Sequence, residues 1–210
     1  MEHGFSVAYS QEQFFALAEN EVKRAQRYGR TLSAIVLGID DLAGIRETFG
    51  PVWANEALRV LALACDENLR APDVFGRYGE DDLGVMLPEA NEAAGVQLAF
   101  RLRNMILQTV LPTVHGPLSV TVSLGVAATV GEVVDLSRLL EHAEQSRQAA
   151  VDAGGDCVRG CFVADRRGNL DEALAKLGRR GTDKNAAEAG LVTLSQEEIN
   201  MLLDHQAGSR

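Results

Sequence analysis

Apolar residues recur along this chain in two alternating rhythms. Phe14, Phe15, Leu17, Ala18 and Val22 fall at helical spacing ahead of Gly29, which predicts a helix over roughly 10–28. Leu32-Ser-Ala-Ile-Val-Leu-Gly-Ile39 reads as a buried strand. Leu58, Leu61, Ala62, Cys65 and Leu69 form one helical stripe between Trp53 and Leu69. Two short strands follow, Phe75 to Tyr78 and Leu83 to Leu87, joined through the polar Gly79-Glu80-Asp81-Asp82 as a hairpin. Asn91 can cap a helix reaching about Gln108. Leu118 to Val126 alternates as a strand, and Asp135 opens a helix to about Ala153, closed by Gly154-Gly155. Cys157 to Val163 is a last strand. This order predicts an α/β (α+β) layered domain with helices covering a mixed sheet.

Beyond about Val163 the texture changes. Leu170, Leu174 and Leu177 sit between Asp165-Arg-Arg-Gly and Gly178-Arg-Arg-Gly, and a second apolar helical pattern lies near the end. The chain is therefore divided into a domain over 10–163 and a tail over 164–210 with two small helices. Arg179 and Arg180 near Lys184 read as a solvated linker.

Composition narrows the function classes. A chain of 210 residues can bury one sizeable core. Its net charge of −10 argues against broad binding to nucleic acid. No apolar run approaches a membrane span, and Met1 to Ser6 lacks the pattern of an export signal. Cys65, Cys157 and Cys161 are an odd count without zinc-type clustering, which fits reduced thiols in a cytoplasm. His3, His115, His142 and His205 are scattered, and none has a second ligand at metal spacing, so no metal histidine and no resident cofactor are expected. Ser123 near Gly125 lacks the strand–elbow–helix setting of a nucleophile.

Four segments carry a stronger message. They are Val36-Leu-Gly38-Ile-Asp40-Asp41 running to Phe49-Gly50, Arg77-Tyr-Gly79-Glu80-Asp81-Asp82-Leu83, Val120-Thr-Val-Ser123-Leu-Gly125-Val-Ala, and Leu139-Leu140-x-x-Ala143-Glu144 running to Gly154-Gly155-Asp156. In these registers the chain resembles, from about Gln13 to Phe162, the GGDEF domains. That family of diguanylate cyclases makes cyclic di-GMP from two GTP. The resemblance implies the palm-like nucleotidyl cyclase fold, a central mixed sheet of about five strands wrapped by helices.

The resemblance also implies where chemistry should sit. Family members hold two Mg²⁺ with the first Asp of the strand motif and the acidic residue after the glycine pair. Here those positions are Gly38 and Asp81, and the second glycine is Glu80. The guanine-reading Asn and Asp fall at Arg46 and Asn55, and the phosphate-binding Lys and Arg at Val151 and Gly155. Asp40 is expected on the strand face opposite position 38, and so not to replace the missing ligand. The expectation is a degenerate, non-catalytic domain; the alternative is a residual diguanylate cyclase using Asp81 and Asp40.

A second family site is retained in letters. Arg70-Ala-Pro-Asp73 lies in the register of the Arg-x-x-Asp that binds cyclic di-GMP upstream of the hairpin, and Arg101 falls where a further ligand arginine is placed. A guanidinium can donate twice to guanine O6 and N7, and a carboxylate can accept from its ring N–H and amine. The competing reading is an exposed ion pair at a helix end, with Pro72 marking the stop.

At the far end, Leu194-Ser195-Gln-Glu-Glu198-Ile199-Asn-Met-Leu202-Leu203 carries a capping box and one apolar face. It resembles the N-terminal peptide of the flagellar motor switch protein, which docks on a chemotaxis response regulator. That implies a response-regulator-like or flagellar motor or polar partner, reached by a helix in a groove. The competing reading is a helix folded onto its own domain or a dimer contact.

Overall fold

The computed structural model describes residues 8–130, 135–164 and 191–194. Thirteen elements follow in order: α1 (Gln11–Tyr28), β1 (Leu32–Ile39), α2 (Leu42–Phe49), α3 (Pro51–Asn68), β2 (Val74–Arg77), β3 (Leu83–Pro88), α4 (Glu92–Leu107), β4 (Val110–Thr113), β5 (Gly116–Ser119), β6 (Val122–Val130), α5 (Leu136–Asp152), β7 (Val158–Ala164) and β8 (Leu191–Leu194). Helix starts are set locally. The Ser10 hydroxyl accepts from the Gln13 N–H while the Gln13 side chain accepts from the Ser10 N–H; Asn91 caps α4 by accepting from the Ala94 N–H, and Asp135 caps α5 by accepting from the Arg138 N–H.

The main sheet runs β2-β3-β1-β6-β7-β8. Only β6 and β7 are parallel, as a crossover through α5 requires. The five expected strands of the mixed sheet are present, and β8 adds a sixth, antiparallel to β7. Both faces of the sheet are covered. Ile35, Leu37, Ile39, Leu124 and Val126 pack with α3 and α4, whereas Ala34, Val36, Ala127 and Cys161 pack with α1 and α5. β1 is therefore buried along its whole length, which its apolar run, broken by Ser33, anticipated.

Phe14 links α1 to the outer hairpin. It is fully buried, and it lies over the cross-strand pair Gly76 and Gly84. A Cβ at Gly76 would lie 2.6 Å from Phe14 Cβ, and one at Gly84 2.5 Å from Phe14 Cζ. Two side-chain-free residues make the trough that the ring fills.

Two expectations change. Leu118 to Val126 is not one strand: β5 ends at Ser119, a small β4–β5 hairpin is set off from the main sheet, and β6 starts at Val122. Alternation continues across the break, so periodicity hid it. Leu194, expected beside a helix cap, closes strand β8. Ser195, Glu198, Ile199, Leu202 and Leu203, with the proposed small helices, lie outside the described residues. Among those described, no helix is long and apolar enough to cross a membrane.

Candidate functional site

The two sequence-predicted sites lie at opposite ends of β2. The hairpin end is built by β2, β3 and the turn between them. Tyr78 and Gly79 both donate main-chain N–H groups to Asp82 O, at 2.9 and 3.1 Å, and the Arg77 guanidinium donates to Glu80 O at 2.7 Å. Those bonds fix the turn and aim its acidic side chains at β1, α2 and α5.

Each of the two aspartates meets an arginine. Arg46, on α2, donates to both carboxylate oxygens of Asp81 at 3.0 Å. Arg147, on α5, lies 3.6 Å from Asp82 and donates to both oxygens of Glu144 at 3.0 and 2.7 Å. Burial pushes the Asp82 carboxyl above its ordinary range, with Arg147 opposing the shift. Hydrogen bonding to Glu144 holds the Arg147 guanidinium more firmly protonated still. Gly38 faces this group: a Cβ there would overlap Asp82 Oδ1 and lie 3.3 Å from Arg147 Nη1.

Asp40 corrects an expectation. Residues two apart in a strand share a face. Gly38 pairs with Ser123 across β1 and β6, and the Ser123 hydroxyl donates to Asp40 Oδ1 at 2.6 Å. Asp40 thus lies on the same side as Gly38, the side of α5. Its second oxygen accepts the Asp156 N–H at 2.8 Å, and Arg103 from α4 binds Asp156 through its main-chain oxygen at 2.7 Å and its carboxylate at 2.5 Å. Gly155 has φ +76°, and a Cβ there would stand 3.0 Å from the Asp40 carboxyl. Val151 is exposed on α5, Asn55 is exposed on α3, and Glu80 is exposed at the hairpin tip. Arg46 and Arg147 as partners of the hairpin acids were missed from sequence. The only signal was basic residues standing where the family pattern has Asn and an apolar residue.

The other end of β2 is different. Asp73 directly precedes the strand, and the turn before it is closed by the Asp73 carboxylate accepting the Arg70 N–H at 2.8 Å and by Asp73 N–H donating to Arg70 O at 3.0 Å. The carboxylate thus takes a main-chain N–H in fixing this turn, rather than serving only a surface ion pair. Burial raises the Asp73 carboxyl, with Arg70 opposing. Arg70 and Arg101 are both exposed, and Arg101 is steadied by donating to Asn68 O at 3.2 Å. Arg70, Asp73 and Arg101 line one cleft of about 90 Å³, whose apolar floor includes Leu87 and Leu98. All three predicted ligand residues are brought together.

Comparison with known proteins agrees with the fold. The model of the diguanylate cyclase GGDEF domain matches residues 8–157. Response regulator PleD of Caulobacter vibrioides is 36% identical over 141 residues, 66% of this chain and 31% of that protein. Diguanylate cyclase DosC of Escherichia coli is 30% identical over 141 residues, 67% of this chain and 30% of that protein. The chain thus matches under a third of the length of these relatives. Among solved structures, the GGDEF domain of DgcB from Caulobacter crescentus, in complex with c-di-GMP, superposes with a TM-score of 0.71 at 19% identity, covering 75% of this chain and 93% of that one. The sheet order, the hairpin, the strand motifs and the family match together place this chain in the GGDEF domain family.

Proposed function

We propose that this chain is a non-catalytic GGDEF signalling domain that binds cyclic di-GMP at Arg70, Asp73 and Arg101 and acts through a protein partner. The observation that carries the reading is the contrast between its two clefts. Arg70 and Arg101 present exposed guanidiniums beside the half-buried Asp73 carboxylate, the donor and acceptor set a guanine edge takes. At the hairpin end, Asp81 and Asp82 face arginines of the same chain.

The magnesium ions that the family implies need free carboxylate oxygens. Gly38 offers none, Arg46 covers Asp81, Arg147 stands at Asp82, and Asp40 is engaged by Ser123 and Asp156. The residues do not fit a two-metal site, and no step of cyclisation is derived through one. Val151 and Gly155 bring no positive charge to a triphosphate, and Glu80 adds a negative one. One lost electrostatic partner typically costs roughly 10²–10³ in rate.

Isothermal titration with cyclic di-GMP should give heat and saturation with wild-type protein, and none with Arg70→Ala. No heat at high micromolar ligand would defeat the receptor reading. The second reading is a residual cyclase, favoured by relatives such as DosC that are named diguanylate cyclases. Protein with GTP and Mg²⁺ should form no cyclic di-GMP; turnover at about 1 s⁻¹ or above would establish that second reading. The partner segment is proposed to be the amphipathic stretch after Leu194, with Ile199, Leu202 and Leu203 as its apolar face. Deleting 195–210 should remove binding to a response-regulator-like partner and leave cyclic di-GMP binding intact.

A further inference from the structure

We infer that Arg147 is a built-in cation that serves Asp82 of the hairpin and Glu144 of α5 in place of a divalent ion, and that Asp82 fills the space a side chain at position 38 would need. The inference rests on the non-catalytic reading and gives it a physical cause.

Three observations carry it. The Arg147 side chain is only 15% exposed and lies between two carboxylates, Glu144 at 2.7 Å and Asp82 at 3.6 Å. Its Nη1 would stand 3.3 Å from a Cβ at position 38, so the guanidinium borders the place where the family carries its metal-binding aspartate. Asp82 Oδ1 overlaps that same Cβ position. Asp82 thus occupies the space beside Gly38, and the Arg147 guanidinium lies next to it. Arg46 lies beside Asp81 in the same way. A divalent cation and a guanidinium cannot share these oxygens, because like charges at such separations repel strongly. Position 38 thus brings no carboxylate, and the two hairpin aspartates beside it meet arginines of the same chain. Returning aspartate to position 38 alone therefore meets an occupied space.

The test uses the whole chain and Mn²⁺ alone as probe, at constant ionic strength. Wild type, Arg147→Lys, Arg147→Met and Arg147→Met with Asp82→Asn are compared for melting temperature and for Mn²⁺ bound, counted by the electron-spin resonance of the free ion. Wild type and Arg147→Lys should melt at the same temperature with or without Mn²⁺ and hold none. Arg147→Met should melt on the order of 5 °C lower, recover with Mn²⁺, and hold about one equivalent. The double variant should regain stability without metal and hold none. Should Arg147→Met not fold, folding of the double variant alone supports the inference, and its failure to fold while Arg147→Lys folds overturns it. Mn²⁺ bound by wild type and lost with Asp82→Asn overturns it, as does Arg147→Met that gains no Mn²⁺. These outcomes are separate from the receptor reading, which falls on the cyclic di-GMP titration while leaving the Mn²⁺ result standing.

Discussion

The two ends of β2 handle arginine in opposite ways. Before the strand, Arg70 and Arg101 stand exposed at a cleft, and one carboxylate oxygen of their neighbour Asp73 accepts a main-chain N–H. After the strand, Arg46 and Arg147 are spent on Asp81, Asp82 and Glu144. The four residues of β2 separate an end with cationic groups available for a ligand from an end whose arginines are already paired with acids of the same chain. The lesson is that a retained hairpin frame says little about chemistry until the partners of its acids are known. Asp81 keeps the register of a metal ligand, yet an arginine from α2 holds both of its oxygens.

The comparison can be broken most severely at the part both ends share. Phe14 is fully buried over Gly76 and Gly84, so Phe14→Ala should cost about 3–5 kcal/mol and loosen both ends together. Chemical denaturation measures it; a loss under 1 kcal/mol would show that α1 does not hold the hairpin. Next comes the open end. Arg70→Ala should weaken cyclic di-GMP by about 2–5 kcal/mol, and Asp73→Ala by a similar or smaller amount, with the fold intact by circular dichroism. Equal affinity in wild type and Arg70→Ala would move the ligand elsewhere.

A third prediction concerns pH. Glu92, 3% exposed in the first turn of α4, has a carboxyl oxygen without a partner, and burial pushes its carboxyl up from 4.5 to about 8. The folded protein keeps a proton there that the unfolded chain has already released. Its contribution is therefore fully present below pH 4.5 and is lost as pH rises to about 8, at no more than about 1.4 kcal/mol per pH unit. Glu92→Gln should flatten that part of the stability profile and raise the melting temperature at pH 8. A mutant profile parallel to wild type would contradict this. The smallest effect expected is at the closed end. Gly38→Asp should yield no cyclic di-GMP from GTP and should lower the melting temperature by a few degrees, because its Cβ meets Asp82. Restored turnover would show that Asp82 and Arg147 give way freely.

Much of this fold was legible because its signals are local. Asn91 and Asp135 cap the helices they were expected to start, and β1 is the buried strand that its apolar run described. The grouping of Arg70, Asp73 and Arg101 was legible through family register. Other features depend on tertiary contacts that spacing does not encode. Arg46 reaches Asp81 from 35 residues away, and Arg147 comes to Asp82 from a helix that follows four intervening strands. The face of Asp40 was legible in principle, since alternation puts positions 38 and 40 on one side; the error lay in applying the period. The β4–β5 hairpin was hidden by alternation that runs through its end. β8 pairs with β7 across a long separation, and a leucine ahead of a capping serine carries the same local signal in either setting.

Hydrogen–deuterium exchange of the wild-type chain with each nucleotide in turn tests the contrast most directly. With cyclic di-GMP, the account predicts slower exchange in the segments carrying Asn68 to Asp73 and Gln97 to Arg101, and little change at Tyr78 to Asp82. With GTP and Mg²⁺ it predicts no protection at the hairpin or at Gly38 to Arg46. Protection of the hairpin by GTP and Mg²⁺, with the Arg70 segment unchanged by cyclic di-GMP, would contradict it.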